Sequence, residues 1–80
     1  MTASNFDKEH VATFNRHIGE QVRVTRIKHG IRQNELARRV GVNSPQMHKY
    51  ESGEHRMTAG MLFAIAKAMN IDTSELFPQH

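Results

Sequence analysis

Three glycines, Gly30, Gly41 and Gly53, set the size of what the middle of this chain can build. Each closes a stretch with helical character, and a glycine just past a helix takes up the left-handed conformation that ends it. "RQNELARRVG" places Leu36, Ala37 and Val40 on one helical face and stops at Gly41, with Ile31 in the connection before it. Asn43 then offers a side-chain oxygen to cap the next helix, Pro45 falls in its first turn where a missing N–H costs nothing, and Gly53 closes it. Two helices of two to three turns each, joined by a tight turn, are what this spacing allows.

The flanking segments supply the rest. Phe14, Ile18 and Val22 recur at four-residue intervals, which predicts a first helix over about 15–29. Residues 1–14 read as an N-terminal tail that could extend it, polar up to about residue 12 apart from the scattered Phe6 and Val11. "TAGMLFAIAKAM" carries a broad apolar stripe of Ala59, Leu62, Ile65, Ala66 and Met69. "DTSEL" has Asp72 three residues before Glu75, a capping-box start to a short terminal helix that turns Leu76 and Phe77 inward and stops at Pro78. The expectation is one all-α domain of five short helices over 15–77, with residues 78–80 as a C-terminal tail.

Against this background the helix expected over 43–52, "NSPQMHKYES", is unusual. An 80-residue chain buries only about 60% of its unfolded surface and has little apolar material to spare. Yet only Met47 and Tyr50, three apart, look inward from this helix, while Ser44, Pro45, Gln46, His48 and Lys49 remain on or near its outer side. Charge sharpens the point. The net charge is only +3, but residues 21–49 hold Arg23, Arg26, Lys28, Arg32, Arg38, Arg39 and Lys49 against the single acid Glu35. A basic middle with a polar short helix suits a polyanionic partner; a solvated helical face would give the same charges.

A short helix, a glycine-containing turn and a second short helix over about 33–52 form a helix-turn-helix, whose second member reads the DNA major groove. The stretch "IGEQVRVTRIKHGIRQNELARRVGVNSPQMHKYESG", with "LFAIAKAM" and "SELF" after it, resembles the Cro/C1-type (XRE-family) helix-turn-helix domain of lambda-like phage repressors, over about residues 17–77. The resemblance implies that Gln33 bonds a phosphate and braces the recognition helix. It implies that Ser44, Pro45 and Lys49 face base edges with Gln46 and His48 beside them, and that Arg32, Ser52, the backbone at Gly53 and Arg56 lie along the sugar-phosphate backbone. Arg26 and Glu51 match a structural ion pair between the first and third helices. Departures fall at Pro45, whose ring could meet only an apolar feature such as a thymine methyl; at Ser44, which is short; at Thr25, usually apolar; and at Asn70, where glycine commonly ends the fourth helix. Lys49 and Gln46 are therefore the stronger candidates for base reading.

Other chemistries find little support. His10, His17, His29, His48, His55 and His80 include no pair at ligand spacing on a helix, and cysteine is absent, so neither a metal nor any other cofactor is expected. There is no phosphate-cradling glycine loop and no G-x-S-x-G, which points away from an enzyme. His48 alone is placed where a charge change near neutrality would alter DNA binding. Arg38 and Arg39 suit phosphate contacts or merely the negative end of the second helix's dipole. The chain has no apolar run of about 18 residues and no secretory pattern at "MTASNFDKEH", which predicts a cytoplasmic protein with no membrane partner. Phe63, Leu76 and Phe77 are candidates for a homodimer patch; Met61, Val24 and Ile27 fit the core periphery equally well. The expected function is a sequence-specific regulator of transcription acting on double-stranded DNA as a homodimer. The alternative is an antitoxin-like or adaptor module whose main partner is another protein.

Overall fold

The computed structural model describes residues 8–77; residues 1–7 of the N-terminal tail expected over 1–14 and the tail expected over 78–80, with Phe6 and Pro78, lie outside the described residues. Among the described residues four α-helices follow in order, α1 (Lys8–Lys28), α2 (Gln33–Val40), α3 (Ser44–Ser52) and α4 (Ala59–Ala68), and then a 3-10 turn over Thr73–Leu76. Among the described residues all regular structure is helical. The fifth helix expected at "DTSEL" is thus only that 3-10 turn. Its start is as expected, a complete capping box between Asp72 and Glu75, but Phe77 is already extended at ψ 157°. Phe77 precedes Pro78 in sequence, and a following proline disfavours the helical region, so the segment has no room to become α-helical. Hydrogen bonds from the Ser74 backbone and side chain hold the Asp72 carboxyl below the usual carboxylate range.

α1 begins at Lys8, well before the expected start near residue 15. The additional turns are not core-facing: Val11 and Phe14 are exposed, and Phe14 stacks on Phe77 with ring centroids 6.0 Å apart. Phe14, expected on the inner face with Ile18 and Val22, therefore contributes to a surface aromatic pair, while Ile18 and Val22 are buried.

The core gathers Val22 from α1, Leu36 and Ala37 from α2, Met47 from α3, Ile65, Ala66 and Met69 from the α4 end, and Leu76 from the 3-10 turn. Each large side chain taken fully out of water contributes roughly 1.5–3 kcal/mol, and every element supplies at least one. α3 packs on both α1 and α2, α2 on α4, and the 3-10 turn on α4 and α1. Ala59, placed on the expected α4 stripe, is exposed at the first turn, whereas Leu62 is half-buried.

The helix ends repeat one device. At the end of α2 the Gly41 N–H donates to the Arg38 carbonyl and the Val42 N–H to the Ala37 carbonyl; at the end of α4, Asn70 and Ile71 donate in the same way to Lys67 and Ala66. The pivot residue must be left-handed, and Asn70 is, at φ 60°. Only glycine enters this region without steric cost, and asparagine is the next most tolerant. Asn70→Gly is accordingly expected to raise stability by about 0.5 kcal/mol and Asn70→Ala to lower it by about 1 kcal/mol in urea unfolding. Equal effects from both substitutions would exclude this account of the turn.

Candidate nucleic-acid interface

The recognition candidate α3 is set up locally before it is packed. The Asn43 side chain accepts from the Gln46 N–H at 2.8 Å, Pro45 occupies the first turn, and Gly53 closes the helix in the left-handed conformation. The reading of "NSPQMHKYES" as a capped helix therefore agrees with the structure. Met47 is fully buried and Tyr50 is half-buried, packed against the core.

A third residue anchors α3, and it is charged. Glu51 is only 5% exposed. Its carboxylate accepts from Arg26 Nε at 2.7 Å and Arg26 Nη2 at 3.2 Å, and from Gln33 Nε2 at 3.0 Å. Arg26 Nη1 also donates to the Ile31 carbonyl at 2.8 Å, which ties in the connection between α1 and α2. One carboxylate therefore joins α1, the N-terminus of α2 and the C-terminal end of α3. Every buried side-chain polar atom among the described residues has a partner, so the network is closed rather than partly satisfied. The Arg26–Glu51 pair that the family resemblance implied is present as a two-pronged bridge, and Gln33 braces α3 through the same carboxylate.

With its inner side committed, α3 turns its other residues outward. Pro45, His48 and Ser52 are exposed, and Ser44, Gln46 and Lys49 are half-buried. Arg32 and Arg56 are exposed at either side, and Gly53 is half-buried. Arg32 is the N-cap of α2 but its side chain makes no capping hydrogen bond, which leaves the amides at the start of α2 without a side-chain acceptor. A shallow cleft there is lined by Glu20, Arg23, Arg26, Gln33, His48, Glu51 and Ser52.

Arg38 and Arg39 are both exposed, but Arg39 is already engaged: it donates to Glu35 at 2.6 Å and to the Ala68 carbonyl at 3.1 Å, linking α2 to the end of α4. For Arg39 the structural role is the one the geometry supports. Arg23, absent from the expected contacts, lines the cleft and lies 3.4 Å from Glu20. Arg16 packs so closely on Gly53 that a Cβ there would lie 2.9 Å from the Arg16 Cα. His55 was also missed as a contact: its Nδ1 is 3.1 Å from Gln46 Nε2. No spacing signal links these residues, because α1 and the loop after α3 reach the interface only through the tertiary fold.

The candidate dimer residues separate. Phe63 is 57% exposed, with Lys67 Nζ 5.9 Å from its ring centroid, and Phe77 is 37% exposed against Phe14. Leu76 is fully buried in this chain's own core, so its expected role in a dimer patch is corrected: its side chain has no surface to offer.

Comparison with known proteins agrees with this geometry. The HTH_3 helix-turn-helix family model matches residues 22–76. An uncharacterised transcriptional regulator in the ATPase CF(0) region of Rhodospirillum rubrum is 41% identical over 61 residues, 76% of this chain and 56% of the relative. An uncharacterised helix-turn-helix-type regulator of Sinorhizobium fredii is 36% identical over 76% of this chain and 43% of its own length. The chain thus spans about half the length of the curated relatives it matches. Among solved structures, the P22 c2 repressor in complex with a synthetic operator is 32% identical with a TM-score of 0.67, over 75% of this chain and 91% of that one. Two short helices around a glycine turn, a buried Arg26–Glu51 bridge behind them and a family match covering most of the chain lead to one assignment: the chain belongs to the helix-turn-helix family of Cro/C1 (XRE) type.

Proposed function

We propose that the protein is a sequence-specific, DNA-binding regulator of transcription that inserts α3 into the major groove. The observation that carries this reading is the division of α3 into a buried side, Met47 and Glu51, and an outer side that keeps Ser44, Pro45, Gln46, His48 and Lys49 available. A helix in a small domain that gives up most of its apolar surface is explained by a polar partner. In this reading Lys49 and Gln46 make the base hydrogen bonds and Pro45 packs on an apolar base edge. Gln33 with the uncapped start of α2, Arg32, Ser52, the Gly53 backbone and Arg56 hold phosphates. Ser44 and His48 stand beside the base-reading residues. The protein works without an enzymatic step, in the cytoplasm. Two copies set their recognition helices about 34 Å apart on a nearly palindromic operator, with Phe63 and Phe77 at the contact between them.

The test is selection of duplex DNA from a random pool, followed by binding at several salt concentrations. An enriched motif and affinity falling steeply with salt are the expected results. Neither a motif nor salt-dependent binding to bulk duplex would reject the regulator and leave the protein-binding adaptor. Lys49→Ala should weaken the selected site by about 1–3 kcal/mol while affecting random duplex less. Equal losses on both would reduce Lys49 to a phosphate contact.

A further inference from the structure

The Gln46 side chain is held by a residue outside its own helix. Its backbone N–H is already used by the Asn43 cap, and its amide nitrogen lies 3.1 Å from His55 Nδ1. His55 is itself fixed to α3, because its backbone N–H donates to the Lys49 carbonyl at 3.1 Å. The loop after α3 therefore folds back and places an imidazole beside a side chain of the recognition face.

We propose that His55 is a positioning residue that fixes the polarity of the Gln46 amide so that it reads adenine; this rests on the DNA-binding reading above. A glutamine amide has two N–H donors and one carbonyl acceptor. In the tautomer whose Nδ1 accepts, His55 takes one of the two N–H groups. The other N–H and the carbonyl remain side by side. That pair matches adenine in the major groove, whose N7 accepts and whose N6 amino group donates. The opposite polarity, with Nδ1–H donating to the Gln46 carbonyl, would leave two N–H groups outward and suit the two acceptors of guanine. Without His55 the long Gln46 side chain is free to take several rotamers and both amide orientations, so its preference between bases weakens.

The experiment compares four proteins by selection and by binding to duplexes varied at one base pair: the wild type, His55→Ala, Gln46→Ala and the double variant. The wild type is expected to prefer adenine at the pair that Gln46→Ala makes permissive. His55→Ala is expected to reduce that preference about fivefold, the effect of one ordinary hydrogen bond, with preferences elsewhere and the salt slope unchanged. In the Gln46→Ala background it should do nothing further. A purely structural role for His55 would instead scale affinity for all duplexes alike and persist in that background, and this result overturns the proposal. So does a guanine preference at the Gln46 pair, or an unchanged profile in His55→Ala. A wild type that enriches no motif fails at the DNA-binding reading itself, and is told apart because the variants are then never distinguished.

Discussion

Glu51→Ala is expected to remove a large share of the stability of this domain. The residue is 5% exposed, and its partner Arg26 has a side chain only 11% exposed. Deleting the carboxylate leaves the guanidinium out of water with no counter-charge, and breaking a buried pair from one side costs roughly 3–5 kcal/mol. A chain of 80 residues holds on the order of 4–12 kcal/mol in total, so the loss is a large share of it. Urea unfolding followed by circular dichroism is the measurement. Replacing both partners by apolar residues, Arg26→Met with Glu51→Leu, should recover part of that loss, since the main penalty belongs to the unpaired charge. Recovery stays incomplete because Arg26 also bonds the Ile31 carbonyl and Gln33 would lose its acceptor. A Glu51→Ala protein within about 1 kcal/mol of wild type would instead place the bridge among solvent-screened surface pairs.

The same residue shows what the sequence made legible. Helix ends are local events, so Gly41, Gly53, the Asn43 cap and the Asp72–Glu75 box could be read directly and are found in place. Periodicity located Leu36, Met47 and Ile65 in the core for the same reason. Glu51 has no local signature. Its partner lies 25 residues away in sequence, and only the family resemblance suggested the pair. The first turns of α1 carry no inward stripe, because Val11 is exposed and Phe14 meets another surface aromatic, Phe77, rather than the core. Leu76 and Phe77 are adjacent and both apolar, yet one is fully buried and the other exposed; which way each faces is decided by the 3-10 geometry of the turn. Gln46, expected on or near the outer side of α3, is half-buried there, and its contact with His55 depends on how the following loop returns.

Gly19→Ala and Gly60→Ala are expected to move stability in opposite directions, although each puts the same methyl group into an α-helix. Helix propensity favours both by up to about 1 kcal/mol. At Gly60, near the start of α4, the new Cβ would find its nearest neighbour, Thr58 Oγ1, at 3.9 Å, so the gain of roughly 0.5–1 kcal/mol is kept. At Gly19 the Cβ would lie 2.7 Å from the Glu51 carbonyl oxygen and closer still to that of Tyr50. Both are backbone atoms of α3, which no rotamer change can move aside. α1 and α3 must separate, and overpacking of this kind costs about 1–3 kcal/mol or more. The separation acts at the part of the fold where Arg26 and Gln33 grip Glu51, so two of the three hydrogen-bond distances at that carboxylate depend on the same approach. A net loss of about 2 kcal/mol is expected in Gly19→Ala, with DNA binding impaired even under conditions where the variant is folded, because α3 is then tilted against the rest of the interface. Gly60→Ala should bind as the wild type does. Stabilisation by Gly19→Ala would mean that α1 does not need this close approach to α3, and the positioning of the recognition helix would have to come from α2 alone.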